Sequence, residues 1–238
     1  MNHYPLSVHR TVLRVDSGSA ADALEEVVSE HPLLVEVTEG PALSLSCSPE
    51  HLRELVVGTL FSRGLLTSAQ EIVSLTFSED LARASVSLSL RKAPPPASCP
   101  NQVQMSASAI RTLMAHNLSA SALFQRTGGV HCVTLWSQGQ PPLSMEDLAR
   151  HNAVDKAIGY ALLHSLPLEC SVLAVSGRLS ADMMEKSIRA GIPIVLSKGA
   201  PTDRAIYLAE AAGITLAGFI RGERMNLYTR PERIDLSR

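Results

Sequence analysis

The spacing of apolar positions changes character along this chain. In the first hundred residues it is strand-like. Residues 11–15, 33–37 and 42–46 are short β-prone runs, the last two separated by a Gly40-Pro41 turn. Ser48, Pro49 and Glu50 then supply an N-cap, a first-turn proline and an acidic first turn. Leu52, Leu55, Val56 and Leu60 follow at helical spacing, and Gly64 stops the helix. Residues 71–77 and 84–90 read as a closing strand pair, the second alternating as A-S-V-S-L-S-L. The stretch 91–102, RKAPPPASCPNQ, carries four prolines and is neither a helix interior nor a central strand. It reads as an exposed connector and the best domain boundary.

Beyond it, helices at 107–117, 146–164, 180–190 and 203–212 alternate with strands at 130–136, 171–176, 193–197 and 214–220. That rhythm predicts helices packed on a largely buried sheet. The expected fold is α/β (α+β) in two parts: a small N-terminal α+β region, 1–95, and a larger α/β domain, 96–238.

Composition narrows the class. Hydrophobic residues make up 45% of the 238 and charged residues 18%, in the range of ordinary globular proteins. A formal net charge of -2 gives no overall field toward nucleic acid or an anionic membrane, so an anionic ligand would need a local basic cluster. No apolar run is long enough to span a bilayer, and the N-terminus lacks the apolar core of a secretory signal. Four scattered cysteines (Cys47, Cys99, Cys132, Cys170) suit reduced thiols. The expected location is cytoplasmic, with neither nucleic acid nor membrane as partner.

Three segments between residues 126 and 178 carry candidate chemistry. In RTGGVH, Gly128 and Gly129 precede a strand, where glycines let backbone N–H groups approach a ligand, with Thr127 and His131 beside them. A tight turn entering the strand explains the same residues. In EDLARHNAVDK, His151 and Asp155 lie four apart on one helix face, as do Asn152 and Lys156. They could read a polar ligand together, or form a solvated face laced with ion pairs. Ser176, Gly177 and Arg178 follow an apolar strand, where open α/β sheets place ligands; a simple turn is the alternative.

In this order, with GIPIVLSKGAPT and LAGFIRGERMNLYT behind them, these motifs resemble the formate dehydrogenase accessory sulfurtransferase (FdhD) family over most of the chain. The resemblance implies a cytidine-deaminase-like larger domain and a homodimer. It also implies binding of a molybdenum cofactor of the bis(guanine dinucleotide) type. Family members take persulfide sulfur from a cysteine desulfurase and pass it to that cofactor before its insertion into formate dehydrogenase. The family's cofactor contacts fall here on Phe219, Ile220, Arg221, Gly222, Glu223 and Arg224; the TGG, HNAVDK and SGR groups are added candidates.

The sequence departs from the family in the sulfur carrier, which is a Cys-x-x-Cys loop. Here Ser98-Cys99-Pro100-Asn101-Gln102 holds one cysteine, with glutamine in place of the second. A persulfide needs one accessible thiolate, so Cys99 is the candidate catalytic residue, and an incidental loop cysteine is the alternative. The family's charge is reversed at Arg63, and its glycine before the arginine of the HNAVDK motif is Ala149. A deaminase-type zinc site needs H-x-E and P-C-x-x-C; His131 is followed by Cys132-Val133 and Cys170 has no neighbouring cysteine, so no zinc is expected. Cys132 and Cys170, in or next to apolar strands, read as buried thiols. The leading function is sulfur transfer to the cofactor. The alternatives are a chaperone that binds the same cofactor without moving sulfur and, more remotely, a nucleotide-binding regulator. The client is formate dehydrogenase or another molybdenum or tungsten enzyme.

Overall fold

The computed structural model describes residues 4–89 and 103–237. The proline-rich connector, Cys99 within it and the boundary placed at 95/96 lie outside the described residues. The chain opens with a hairpin of two strands, β1 (Ser7–Asp16) and β2 (Ser19–Val28), joined by Ser17 and Gly18, both at positive φ. A four-stranded sheet follows in the order β4-β3-β6-β5, built from β3 (His31–Val37), β4 (Ala42–Cys47), β5 (Ile72–Phe77) and β6 (Arg83–Leu88). Helix α1 (Leu52–Ser62) lies between β4 and β5 in the chain.

The second part runs β7 (Met105–Ser106), α2 (Ala107–Ser119), α3 (Ala122–Thr127), β8 (His131–Ser137), β9 (Leu143–Asp147) and α4 (Arg150–Leu163). It continues with β10 (Ser171–Val175), α5 (Ala181–Arg189), β11 (Ile194–Ser197), α6 (Asp203–Ala211), β12 (Thr215–Arg221), β13 (Arg224–Thr229) and β14 (Ile234–Asp235), the last pairing with β7. Six strands form one sheet in the order β13-β12-β11-β10-β8-β9, with β10, β11 and β12 parallel and the remaining pairs antiparallel.

The apolar runs of β10 and β11 are buried throughout because both faces of the sheet are covered. Leu173 and Val175 point to the side of α4, α5 and α6, whereas Val172 and Ala174 point to the side of α2. The fold is thus the mixed α/β type expected, but its two parts share one core. Leu33, Val35, Leu55 and Leu60 of the first part belong to the same buried cluster as Val154 and Ile158 of α4. Full burial of each such side chain contributes about 1.5–3 kcal/mol.

The seam is the crossing of α1 over α4, and two glycines permit it. A Cβ at Gly58 would stand 1.8 Å from the carbonyl oxygen of Asp155, and one at Gly159 1.9 Å from that of Glu54. Backbones this close leave no space for a side chain on either helix.

Helix α1 begins later than its sequence signature predicts, with His51 as a left-handed N-cap (φ 54°). Ser48 is instead drawn into the interior, where its N–H donates to Asp147 Oδ2 at 3.1 Å and its hydroxyl accepts from Lys156 Nζ at 2.8 Å. The long helix expected from Glu146 likewise starts at Arg150, because Glu146 and Asp147 finish β9. Strands β2 and β13 and helix α3 were not anticipated.

Candidate functional site

The sheet's topology gathers the separated motifs on one edge. The carboxyl ends of the parallel strands β10, β11 and β12 lead into Ser176–Arg178, Lys198–Pro201 and the β12–β13 turn. Because β8 runs antiparallel to β10, its first residue, His131, sits at that same end; β9 ends there too, opposite His131, and delivers the start of α4. This is where open α/β sheets place ligands.

Glycines and backbone hydrogen bonds knit these loops together. Ser176 extends the β8 pairing: its N–H donates to the Cys132 carbonyl and its hydroxyl accepts from the Cys132 N–H, both at 3.0 Å. The His131 ring lies against Gly177, with Nδ1 3.3 Å from where a Cβ would be. Gly199 packs so closely that a Cβ would be 3.1 Å from both the Gly177 oxygen and the Arg178 nitrogen. The Ser197 hydroxyl donates to the Gly177 carbonyl at 2.7 Å, and the Phe219 N–H donates to the Gly199 carbonyl at 2.9 Å. Phe219 has a left-handed φ of 51° beside a β-bulge that ends the regular β12–β13 pairing.

Around this frame stand cations without counter-charges. Arg150, Arg178, Lys198, Arg221 and Arg224 lie at this edge, and none makes a salt bridge to a carboxylate of the described residues. Arg221 Nε donates weakly to the Lys198 carbonyl at 3.4 Å, which holds its guanidinium over the loop. Partial burial, with Arg150 nearby adding to it, holds His131 below the ordinary histidine pKa of 6.5, so its ring is neutral at pH 7. In a chain whose net charge is -2, this concentration of unpaired positive charge suits phosphate groups.

The remaining candidates have different work. Asn152, Asp155 and Lys156 form a buried lattice beneath the edge, with the amide nitrogen of the first, the carboxylate of the second and the ammonium of the third taken up by neighbouring groups of the protein. Lys156 is wholly buried and its Nζ lies 2.7 Å from Asp147 Oδ2, 2.8 Å from Ser48 Oγ and 3.0 Å from the Glu146 carbonyl. Asn152 Nδ2 donates to the Ser46 carbonyl at 2.7 Å and to Asp147 Oδ1 at 3.0 Å. Asp147 Oδ1 also accepts from the Ala149 N–H at 2.9 Å, just ahead of α4. Asp155 pairs with Lys186 of α5 at 2.5 Å and accepts from the hydroxyls of Thr59 and Ser62 of α1. Burial raises its pKa, against the pull of Lys186.

The TGG turn is also occupied by its own chain. Gly128 ends α3 in the left-handed conformation (φ 65°) and its N–H donates to the Phe124 carbonyl at 2.7 Å. The Gly129 N–H donates to the Thr127 hydroxyl at 3.2 Å, and a Cβ at Gly129 would meet Val28 of the hairpin at 2.6 Å. The glycines expected to offer N–H groups to a ligand are therefore a helix stop and a packing contact.

His131, His151, Ser176, Gly177, Arg178 and residues 219–224 are at the edge, although the Ile220 side chain points into the core beneath α2 and Glu223 pairs with Arg111 at 3.3 Å. Sequence reasoning passed over Arg150 and Lys198, which lie inside quoted motifs and were not singled out as ligand contacts. Beside the edge, and sharing His151 with it, a polar cleft of about 650 Å³ opens between the two parts of the molecule. Asn152, Asp155 and Thr59 line it, with Ser46, Arg63 and Lys186 around them.

Cys47 and Cys132 are buried and their thiols are pushed up to about 12. Burial is the main cause for each, with Asp147 adding to it at Cys47 and Glu146 at Cys132. Both remain protonated at neutral pH and are poor nucleophiles. Cys170 is half-buried and disulfide-bonded, so it is not the reduced, buried thiol its apolar neighbourhood suggested.

Fold and site together define a mixed α/β protein with a cation-lined edge at the carboxyl ends of its parallel strands. The sequence profile of the FdhD/NarQ family matches residues 87–235, and the chain belongs to that family. It is 35% identical to the sulfur carrier protein FdhD of Bacillus pumilus (strain SAFR-032), covering 94% of this chain and 96% of that one. It is 33% identical to the protein of that name from Bacillus subtilis (strain 168), again covering 94% and 96%. Among solved structures, a putative formate dehydrogenase accessory protein from Desulfotalea psychrophila superposes with a TM-score of 0.85 at 31% identity, over 97% of this chain and 100% of that one.

Proposed function

We propose that this protein is a sulfur carrier that serves formate dehydrogenase maturation in the cytoplasm. It acts as a homodimer and takes a molybdenum cofactor bearing guanine nucleotides as its cargo. The observation that carries the reading is the edge of unpaired cations, Arg150, Arg178, Lys198, Arg221 and Arg224, assembled from the family's own motifs. Guanine dinucleotide groups bring several phosphates, and this donor set suits them. Relatives named as sulfur carriers across nearly the whole chain support the same reading.

In the chemical step the Cys99 thiolate attacks the outer sulfur of a desulfurase persulfide. A new S–S bond forms, the desulfurase S–S bond breaks, and the desulfurase cysteine leaves as thiolate. The sulfane sulfur on Cys99 is then available for the cofactor's metal centre. Cys47 and Cys132 are poor rivals for this role, since burial keeps both as thiols.

Incubation with a cysteine desulfurase and cysteine, followed by intact mass measurement, tests the step. One added sulfur that disappears in Cys99→Ala is expected. No added sulfur, in a protein that still binds guanosine diphosphate, would leave a cofactor chaperone in place of a carrier.

A further inference from the structure

The polar cleft beside the cation edge has the opposite character. Its lining holds the carboxylates of Glu30, Asp155, Asp182 and Glu185 against two cations, Arg63 and Lys186. Lys186 is already paired with Asp155, while Asp182 and Glu185 are exposed and meet no cation among the described residues. The hydroxyls add to the imbalance. Thr59 and Ser62 donate to Asp155, and Ser46 donates to Glu30, so each turns only lone pairs to the remaining space. Asn152 supplies a further acceptor. It is 1% exposed, and its Nδ2 is fixed on the Ser46 carbonyl and Asp147 Oδ1. That turns Oδ1 the other way, towards the cleft that Asn152 lines, where it accepts no hydrogen bond from a described residue. Buried oxygens of this kind normally have a donor.

One wall of the cleft is the edge of a sheet. Among the described residues β4 pairs only with β3, and Ser44, Leu45 and Ser46 line the cleft. The Leu34 N–H donates to the Ala82 carbonyl at 2.9 Å, on the β6 side, so the Leu34–Ser44 pair exchanges no hydrogen bonds. Ser44 therefore turns its N–H and carbonyl outward, as Ser46 does with the carbonyl that Asn152 binds. Both serines are exposed. The strand reads ALSLSC, with none of the charged residues or prolines that blunt a free edge.

We propose that this cleft binds an extended segment of a partner protein, which pairs with Ser44 on the edge of β4 and sets a lysine or arginine side chain against Asn152 Oδ1, Asp182 and Glu185. An ammonium or guanidinium group brings only donors, which a lining made of acceptors lacks. Its charge complements the surplus of carboxylates. The backbone of an extended segment meets the outward N–H and carbonyl of Ser44, as strand addition requires, and the side chain gives the selectivity. The cleft volume of about 650 Å³ lies in the range of ligand sites. Apart from His151 the cleft is distinct from the cation edge, and the inference does not rest on the cofactor reading.

The probe is the peptide TVRVT, blocked at both ends and titrated into the full chain by calorimetry. It is expected to bind, and the same peptide with citrulline in place of arginine to bind about tenfold or more weakly, since citrulline keeps the shape and loses the charge. Asp182→Asn combined with Glu185→Gln is expected to weaken the arginine peptide by a similar factor, about tenfold, with unchanged far-ultraviolet circular dichroism, because both side chains are exposed and unpaired. Ser44→Pro removes the outward N–H without touching the pairing with β3, and is expected to abolish peptide binding. No binding of TVRVT by the wild type overturns the proposal. So does equal affinity for the citrulline peptide, or full affinity in either variant. Binding of N-acetylarginine amide as tightly as the peptide also overturns it, by marking a site for a small molecule. Guanosine diphosphate, titrated in parallel, separates the two readings: a protein that binds it but not the peptide defeats only the cleft proposal, and the reverse defeats only the cofactor reading.

Discussion

The lattice under α4 and the cation edge above it are made from equally charged motifs, yet their charges have opposite fates. In the lattice each charge meets its complement inside the protein: Lys156 with Asp147, and Asp155 with Lys186. At the edge, Arg178, Lys198 and Arg221 meet no carboxylate among the described residues. Satisfied charges hold the frame, and the unsatisfied ones are those the proposed function assigns to a ligand. Helix α4 shows both: Arg150 at its start meets no carboxylate among the described residues, while Lys156 further along is buried against Asp147.

The largest effect that tests this contrast is the loss of Lys156. Lys156→Met removes one half of a wholly buried pair and leaves the Asp147 carboxylate uncompensated. Stability in urea unfolding is expected to fall by about 3–5 kcal/mol, with circular dichroism as the probe. A loss below about 1 kcal/mol would mean the pair is not the strut described.

Arg178→Ala and Arg221→Ala are expected to sit at the other extreme of stability. Both side chains are exposed and unpaired with carboxylates, so the unfolding free energy should stay within about 0.5 kcal/mol of wild type. A large destabilisation by either would place it in the frame.

The smallest effect concerns pH. His131 titrates lower in the folded protein than its ordinary 6.5, so the unfolded chain takes up the proton first as pH falls. The stability it permits is complete above pH 6.5 and is lost as pH drops from there through the folded value. His131→Gln should flatten that part of a stability profile measured between pH 7.5 and 5. An unchanged slope would assign it to another group.

Strands β10 and β11 could be read directly, since strands covered on both faces show as unbroken apolar runs. Strand β2, with the sequence SAADALEEVV, has little β propensity of its own and owes its conformation to β1. Glu146 and Asp147 resemble an acidic first helical turn, which hid the end of β9. The motif residues were legible, but their partners were not. Ser48 meets Asp147, and Thr59 and Ser62 meet Asp155, across more than ninety positions of sequence. Nothing in the spacing of one chain indicates which buried partner will neutralise a helix-borne lysine. That is why Lys156 read as a ligand contact and Lys198, the unpaired one, was passed over.

Titration calorimetry with guanosine diphosphate, on wild type, Arg178→Ala and Arg221→Ala, addresses the central claim most directly. Wild type should bind, and each variant should bind about tenfold or more weakly, as expected for loss of a charge-assisted hydrogen bond, with its fold intact. Equal affinity in all three proteins, or no binding by the wild type, would contradict the assignment of this edge to a guanine nucleotide's phosphates.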